Sequence, residues 1–531
     1  MAAKTASSAK EHKARTGEGE EVADGRPIET GVVIIGSGFS GLGMGIALKK
    51  DGRDDFVILE KAGDVGGTWR DNTYPGAACD VPTHLYSYSF EPRSNWERLW
   101  SYQPEIFNYL KEVSEKYGLG PHLRFHQVAQ RGYWDDEEMR WHLWTADGQE
   151  YVAQFVVSAI GALHIPSIPE IDGIESFGGQ VFHSAQWDHS VDLTGKKVAV
   201  IGTGASAIQF VPEIVDEVGQ LQLYQRTPAW VLPRENVDIP PAVRRVLARV
   251  PGVRRVFRSS LYWGAEAGAY ALNNRPALLK AVALLGKAHI RRQIDDKELR
   301  AKLTPDYRPG CKRLLGSNTY YRALNLAKSE VITDSIAGAT AGGLVTADGR
   351  ERPADVIIYG TGFHVTDSFE SLSIKGKDGA DLVGRFREEG PMAHRGITVA
   401  DMPNAFFLLG PNTGLGHTSI VFMIESQIHY VRDAIRLVNQ RGADAIMPRA
   451  EVQAAYNEDV QRRLANSVWN TGGCQSWYLD EHGNNRTLWP GYTWRYWLST
   501  RRVRPQEFEF LARNGAGDPN ARQRGVAAVG A

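Results

Sequence analysis

The chain has little cysteine, with three in 531 residues at Cys79, Cys311 and Cys474. No two of them form a Cys-x-x-Cys or any other close pair, which argues against a redox-active dithiol of local spacing and against a cysteine-rich zinc site. The sequence therefore predicts no metal centre. A low cysteine content also fits a reducing compartment, and we predict a cytoplasmic protein.

Long apolar runs and an excess of charge of one sign are also missing. No stretch approaches the roughly 20 apolar residues of a membrane-spanning helix, so we predict no transmembrane segment. The formal net charge is −1, so no overall field attracts nucleic acid, and we predict no nucleic-acid partner. Residues 1–28 lack the apolar core of a signal peptide and predict a disordered tail, and residues 513–531 predict a loose tail.

Glycine is abundant, and it stands in two fingerprint turns. Each turn follows an apolar strand pattern, at 32–35 and at 198–201, and opens a helical pattern. Such glycines let the backbone approach a pyrophosphate at a helix N-terminus, which is typical of a dinucleotide-binding βαβ unit. The predicted cofactor-binding residues of the first turn are Gly36, Gly38, Phe39, Ser40 and Gly41. Those of the second turn are Gly202, Thr203, Gly204, Ala205 and Ser206.

A residue at the same offset from the first glycine differs in charge between the two units. It is Glu60 in the first unit and Arg226 in the second. A carboxylate at this position accepts hydrogen bonds from ribose hydroxyls, whereas an arginine faces the 2′-phosphate of NADP. The pair therefore predicts a flavoenzyme that binds FAD in the first unit and NADPH in the second.

The order of the patterns predicts an α/β fold with two Rossmann-like dinucleotide-binding domains. An apolar strand followed by a glycine turn occurs at 155–161 and again at 355–362, which indicates that the chain crosses between the domains twice. We predict the first part of the FAD domain at 29–168 and the NADP domain at 169–339. Residues 340–512 are expected to return to the FAD domain and the substrate side.

A segment of different composition, at about 240–305, interrupts the second domain. From Pro241 to Arg292 it contains eleven Lys or Arg and one acid, Glu266, and its apolar residues recur with helical spacing. We interpret it as a helical insertion that forms a solvated lid over the site. The alternative is an interfacial face in weak contact with a membrane surface.

Two longer motifs carry a family resemblance. The first, at 66–80, reads G-G-x-W-x-x-x-x-Y-P-G-x-x-x-D, and the second, at 177–188, reads F-x-G-x-x-x-H-x-x-x-W-D. Both are fingerprints of type I Baeyer–Villiger monooxygenases, which the chain resembles over about residues 30–510. The resemblance implies that one oxygen atom of O₂ is inserted beside the carbonyl of a small-molecule ketone to give an ester or lactone. The oxidant would be a C4a-peroxyflavin formed after NADPH reduces FAD.

The resemblance also implies roles for individual residues. Arg313 matches the active-site arginine that stabilises the anionic peroxide and the adduct, and Asp80 matches the acid that orients it. The implied contacts to the phosphate and ribose of NADP are Arg226, Thr227, Lys312 and Trp477. The further cofactor-binding residues that we predict are Lys61, Gly67, Thr68, Trp69, Tyr74, Asp80, Tyr86 and Gln209.

Other conspicuous residues are expected to shape the site. The glycine-rich run 410–417 precedes a helical stretch and is expected beside the flavin ring and the substrate. His183 and Trp187 are expected to link the two domains and not to take part in the chemistry. No motif specifies the ketone or an oligomeric state.

Two other functions stay open from the sequence. A flavin monooxygenase that oxidises sulfides or amines would share the nucleotide-binding motifs, although such enzymes usually carry another aromatic residue in place of Trp187. A membrane-surface or interaction protein on an inert flavoprotein scaffold is supported only by the basic insertion. A disulfide reductase is disfavoured because a close cysteine pair is missing.

Overall fold

The computed structural model describes residues 26–365, 369, 372–474, 476, 478–480 and 482–513. The strands among these residues are β1 Ile28–Ile35, β2 Phe56–Leu59, β3 Leu123–Arg124, β4 Ala129–Asp135, β5 Arg140–Thr145, β6 Glu150–Ser158, β7 Gln180–His183, β8 Lys197–Ile201, β9 Gln220–Tyr224, β10 Val231–Leu232, β11 Leu315–Gly316, β12 Ser329–Ile332, β13 Ile336–Thr340, β14 Gly343–Thr346, β15 Glu351–Pro353, β16 Val356–Tyr359, β17 Ser373–Lys375, β18 Ala405–Phe407, β19 Ala445–Pro448 and β20 Phe508–Leu511. The α-helices are α1 Phe39–Lys50, α2 Thr68–Asp71, α3 Gln103–Lys116, α4 Ala205–Ile214, α5 Pro241–Arg249, α6 Pro251–Asn273, α7 Leu279–Gln293, α8 Lys297–Leu303, α9 Tyr320–Leu324, α10 Leu382–Glu389, α11 Ile420–Arg441, α12 Ala450–Leu464, α13 Val468–Thr471 and α14 Thr493–Ser499.

The first sheet is built around β1. Its strand order is β17-β4-β5-β6-β1-β2-β3, and β18 also pairs with β6. β1 runs parallel to β2 and β6, whereas β4, β5 and β6 form an antiparallel meander. Val32, Val33 and Ile34 of β1 are fully buried, as expected for the continuous apolar run of a parallel strand covered on both faces.

The second sheet has five parallel strands in the order β12-β9-β8-β16-β7. Both predicted Rossmann-like units are therefore present. The chain passes from the first sheet to the second between β6 and β7, and it returns through β17 and β18. Because β16 still belongs to the second sheet, the return follows Tyr359, which is later than the predicted boundary at 339/340. The first strand also begins at Ile28, inside the predicted tail; residues 1–25 and 514–531 lie outside the described residues.

In each sheet one strand ends in a glycine turn that leads into a helix, β1 into α1 and β8 into α4. Gly36 and Gly202 have φ of +104° and +113°, which only glycine adopts without strain. A Cβ on Gly41 would lie 1.8 Å from the carbonyl oxygen of Gly36. The start of α1 therefore packs directly on the backbone of its turn. The N-termini of α1 and α4 both lie at the carboxyl edge of their sheets, where dinucleotides bind in this fold.

The basic insertion is helical, as predicted, and comprises α5 to α8. Proline stands at the first position of α5 and α6, where it fits without loss of a hydrogen bond. Glu266, Ala269 and Leu272 form the buried side of α6. None of the helices in the described part of the chain is long and apolar enough to cross a membrane.

Candidate active site

The first glycine turn faces the start of α2 across a narrow gap. A Cβ built on Gly67 would lie 3.3 Å from Gly38 Cα, whereas a Cβ built on Gly38 would meet only Gly67, at 3.9 Å. The turn therefore leaves room for a phosphate beside the N-terminal N–H groups of α1, as the pyrophosphate of FAD requires. The turn and the first residues of the helix are Gly36, Gly38, Phe39, Ser40 and Gly41.

Glu60 follows β2 beside this turn and is almost fully buried. Its Oε2 accepts hydrogen bonds from Ser37 N at 3.1 Å and Ser37 Oγ at 2.6 Å. Its Oε1 accepts from Ala62 N at 3.0 Å and pairs with Arg70 Nη1 at 2.9 Å. This carboxylate is also the acceptor that a ribose hydroxyl of FAD would use. Lys61, next to it, is exposed.

A pair of aromatic side chains lines the same region. Trp69 Nε1 donates to Tyr86 Oη at 3.1 Å, and the Tyr86 ring packs edge-on against Phe39 at 5.2 Å. Burial raises the pKa of Tyr86, so its hydroxyl keeps its proton and stays a donor at neutral pH. Gly67 and Thr68 place Trp69 here, because they are the N-cap and the first residue of α2.

Tyr74 joins the first unit to the second. Its hydroxyl donates to Gln209 Oε1 at 2.9 Å, and burial raises its pKa to about 12. Gln209 Oε1 also accepts from Ala78 N at 3.3 Å, while its Nε2 donates to Ala78 O at 3.0 Å. The segment that leads to Asp80 is therefore positioned by both units, since Gln209 belongs to α4.

The second glycine turn has cations near it. Thr203 Oγ1 donates to Thr227 O at 2.9 Å, which fixes the segment that carries the exposed Arg226. Burial lowers the pKa of Lys312, and the positive charge of Arg226 lowers it further. The two cations therefore lie close enough to repel each other, and a phosphate dianion between them would relieve the repulsion. The turn and the start of α4 are formed by Gly202, Gly204, Ala205 and Ser206.

Arg313 and Asp80 form a two-pronged ion pair between the two units. Arg313 Nη2 donates to Asp80 Oδ1 at 2.8 Å, and Arg313 Nε donates to Asp80 Oδ2. The carboxylate of Asp80 raises the pKa of Arg313 against the opposing effect of burial. Burial also opposes ionisation of Asp80, but the charge and hydrogen bonds of Arg313 prevail and lower its pKa. Both groups therefore stay charged at neutral pH, and about 32% of the Arg313 side chain faces open space.

A second guanidinium near this pair was not predicted. Arg234 lies close enough to Asp80 and Arg313 for its charge to act on both, and its guanidinium stacks 5.5 Å from the ring of Trp100. The charges of one carboxylate and two guanidiniums thus act on each other here, and these three side chains together carry one positive charge. The sequence offered no signal for Arg234, because it follows β10 in a segment without a motif.

The glycine-rich run reaches the same centre. Arg313 Nη1 donates to Leu415 O at 3.1 Å. Two residues further on, His417 Nε2 lies 3.2 Å from Glu266 Oε1, and both side chains are about 3% exposed or less. Glu266 also accepts from Thr493 Oγ1 at 2.6 Å. Glu266, the only acid between Pro241 and Arg292, therefore pins α6 to the loop beside Arg313, a role that its lone position in this stretch did not reveal.

The two distant cysteines meet next to Arg313. Cys311 and Cys474 form a disulfide across 163 residues of sequence, which the separation of the cysteines did not predict. It connects the segment of Lys312 and Arg313 to the segment after α13. Trp477 itself lies outside the described residues. No group of three or more His, Cys, Asp or Glu side chains in the described ranges could hold a metal ion.

The residues of the second motif pack against elements of the second unit. His183 Nδ1 accepts from Ala185 N at 3.1 Å, and its ring packs against Phe363. Trp187 packs against Phe210 of α4 at 5.2 Å. These contacts brace β7 and α4.

The fold and the site place this chain in the class of flavoprotein oxidoreductases with two dinucleotide-binding units. Residues 33–255 match the family described as pyridine nucleotide-disulphide oxidoreductase. The Cys311–Cys474 disulfide lies outside these residues, so it is no counterpart of a dithiol within the matched segment.

Comparison with known proteins narrows this class. The chain is 51% identical over 88% of its length to a Baeyer–Villiger monooxygenase of Pseudomonas aeruginosa, 89% of which is covered. It is 48% identical over 90% of its length to a Baeyer–Villiger monooxygenase of Streptomyces coelicolor, 92% of which is covered. The chain belongs to the family of Baeyer–Villiger monooxygenases.

Solved structures agree with this placement. The closed crystal structure of cyclohexanone monooxygenase is 27% identical in sequence and superposes with a TM-score of 0.83. The alignment covers 92% of this chain and 100% of the cyclohexanone monooxygenase chain. Oxidised steroid monooxygenase bound to NADP is 30% identical in sequence and has a TM-score of 0.82. The alignment covers 91% of this chain and 100% of the steroid monooxygenase chain.

Proposed function

We propose that this protein inserts one oxygen atom of O₂ next to the carbonyl carbon of a ketone and releases an ester or lactone. The observation that carries the proposal is the Arg313–Asp80 pair, held between two dinucleotide-binding units. When bound, FAD would accept hydride from NADPH and then activate O₂. Family membership and the two glycine turns support this pair of cofactors.

Arg313 supplies a fixed positive charge at the centre. Its guanidinium does not lose its proton at any working pH, so it can stabilise negative charge that develops on oxygen during the reaction. Asp80 holds the planar group in one orientation through two parallel hydrogen bonds. Arg234 adds a second charge without competing for that orientation, because it is held at Trp100 and through its backbone by Asn318.

The remaining predicted residues divide between the two cofactors. Glu60, Tyr86 and the first turn are proposed to hold FAD, and Arg226 with Lys312 and Thr227 is proposed to read the 2′-phosphate of NADPH. We propose 29–168 and 360–512 as the FAD domain and 169–359 as the NADP domain, because β16 belongs to the second sheet. The proposed setting is the cytoplasm, and the insertion supplies the surface suited to weak membrane contact.

The test is consumption of NADPH by the purified yellow protein against a panel of linear, cyclic, aromatic and steroid-like ketones. We expect at least one ketone to accelerate NADPH oxidation and to yield an ester or lactone whose mass is one oxygen atom higher. Protein that takes up FAD but oxygenates only sulfides or amines would contradict the proposal and favour the alternative monooxygenase. Folded protein that takes up no FAD would contradict both.

A further inference from the structure

The helical insertion, α5 to α8, carries an exposed apolar surface that has no role in the proposed oxygenation of a ketone. Val256, Trp263 and Tyr270 follow each other at intervals of seven on α6, and a spacing of two turns places them on one side of the helix. They are 69%, 59% and 43% exposed. On α7, Leu284 and Leu285 are 71% and 50% exposed. We call these five residues the outer face.

No charged side chain interrupts the outer face on α6. Between Val256 and Tyr270 the only ionisable groups are Arg258, Tyr262 and Glu266, and none of them points outward. Arg258 Nη2 donates to Ser87 O at 3.1 Å, and Glu266 accepts from Thr493. The exposed positions between the apolar side chains are small, and a Cβ added to Gly264 or Gly268 would meet nothing within 4 Å. The strip is therefore open along about 20 Å of helix.

The helices that carry the outer face are rich in exposed positive charge. The exposed cations between Pro241 and Arg292 are Arg245, Arg249, Arg255, Arg275, Lys280, Lys287, Arg291 and Arg292. None of them is among the ion pairs formed by the described residues. Because Glu266 is buried, no acid between Pro241 and Arg292 offsets them at the surface, and the exposed acids of the insertion, Asp295, Asp296 and Glu298, are confined to the start of α8. The chain as a whole has a net charge of −1, so this concentration of positive charge is local.

We propose that the outer face docks this protein on the surface of an anionic phospholipid bilayer. An uncharged strip with Trp and Tyr, bordered by Arg and Lys, suits the boundary between acyl chains and anionic headgroups. The long basic side chains can reach the phosphates while the apolar side chains enter the bilayer. A symmetric contact with a second copy would bring the same cations together, and a nucleic acid would leave the apolar strip without a partner.

The experiment uses the full-length holoprotein and two kinds of vesicle, phosphatidylcholine alone and phosphatidylcholine with about a third phosphatidylglycerol. We expect flotation with the anionic vesicles at low salt, at least about fivefold weaker flotation at high salt, and none with the neutral vesicles. Absence of flotation with anionic vesicles at low salt overturns the proposal. Equal binding to both kinds of vesicle overturns it as well, because the cations would then contribute nothing.

Variants locate the contact. The double variant Trp263→Ser/Leu284→Ser and the double variant Arg255→Gln/Lys280→Gln should each lower flotation by about fivefold or more. The matched controls are Ile168→Ser/Leu326→Ser and Lys196→Gln/Arg350→Gln, which change exposed residues outside the insertion and should float like the wild type.

Two readouts separate docking from misfolding and from self-association. Bound flavin and the melting temperature should be unchanged in all four variants. Wild-type levels of flotation in both insertion variants overturn the proposal, as does a salt-independent dimer that Trp263→Ser dissociates in the absence of any vesicle binding. The binding measured here does not depend on the proposed oxygenation, so either can fail alone.

Discussion

At the scale of single residues, the centre around Arg313 contains more positive than negative side chains. Arg313 is paired with Asp80, and the charge of Arg234 acts on the same carboxylate, so these three side chains together carry one positive charge that an anion can neutralise. The Arg313–Asp80 geometry fixes the direction of that charge, since both prongs of the guanidinium fork are engaged. A charge that is already oriented needs no reorganisation when negative charge develops, which is why such groups accelerate reactions strongly.

The first prediction concerns Arg313. Arg313→Ala should lower the rate of ester formation by about 10²–10³-fold or more, because a preorganised cation is lost. Arg313→Lys should restore only part of the rate, since a point charge lacks the planar fork. FAD should stay bound, and the remaining NADPH oxidation should yield hydrogen peroxide. Ester formation by Arg313→Ala at a rate near that of the wild type would contradict the assignment.

The pH dependence of the pair follows from the direction of the Asp80 shift. A carboxyl whose pKa is lowered on folding contributes its stabilisation above its ordinary pKa and loses it as the pH falls through the lowered value. The ordinary pKa is about 4, so the pair should persist across neutral pH. The rate of ester formation should therefore show no ionisation attributable to Asp80 above pH about 4, and Asp80→Ala should lower the rate across that whole range.

The second prediction concerns cofactor choice at Arg226. Loss of one charge-assisted contact costs about 1.5–3 kcal/mol, so Arg226→Ala should weaken NADPH binding by about 10- to 150-fold. NADH binding should change little, because NADH lacks the 2′-phosphate. The dissociation constants of both cofactors measure this, with Arg350→Ala as the control for loss of an exposed arginine. Equal losses for NADPH and NADH would show that Arg226 does not read the phosphate.

At the scale of elements, α6 has two different sides. Its inner side carries Glu266, which contacts His417 and Thr493, and Arg258, which contacts Ser87. Its outer side carries the exposed apolar strip. The inner side therefore meets the active-site loop, because the Glu266–His417 pair connects the insertion to the loop that accepts a hydrogen bond from Arg313. A lid over the site stays a prediction for this side.

The third prediction tests this connection. Glu266→Gln keeps the shape of the side chain but removes its charge, which should loosen α6 from the loop at Leu415 and His417. We expect a larger share of the oxidised NADPH to yield hydrogen peroxide and a higher KM for the ketone, with little change in NADPH affinity. Glu298→Gln, at an exposed acid on α8, is the matched control. A wild-type ratio of ester to peroxide in Glu266→Gln would show that the clamp has no part in coupling.

At the scale of the whole molecule, the segment before the last described strand, β20, contacts the segment that precedes β18. Glu507 precedes β20, accepts hydrogen bonds from Arg395 Nη2 at 2.9 Å and lies 3.2 Å from His394 Nε2. Burial opposes its ionisation, but these two partners prevail and lower its pKa to about 2. The last described strand is thus tied to the segment that leads back into the first sheet at β18.

The fourth prediction follows from this tie. Glu507→Gln should lower the melting temperature at pH 7, because loss of the charged partner of Arg395 costs about 1–3 kcal/mol. A lowered carboxyl pKa stabilises the fold fully above the ordinary value of 4.5 and loses this contribution as the pH falls toward about 2. The difference between wild type and variant should therefore shrink in that window in thermal melts. A difference that is constant with pH would show that the charge is not responsible.

The sequence by itself determined the two nucleotide-binding units, the family and the helical insertion. These depend on short-range rules: a glycine turn needs a positive φ at Gly36 and Gly202, and continuous apolar runs form buried parallel strands. The distal charges Glu60 and Arg226 were readable for the same reason, since each follows a strand at a regular distance from its turn.

Only the tertiary structure decided which distant residues meet. Arg234, the Glu266–His417 clamp and the Cys311–Cys474 disulfide each join segments far apart in the chain, and no local spacing encodes such contacts. The domain boundary predicted at 339/340 lies too early, whereas the strand and glycine turn at 355–362 had indicated the place where the chain returns. Periodicity showed that α6 is a helix, but its packing against the loop at His417 decided which side is buried and which side faces outward.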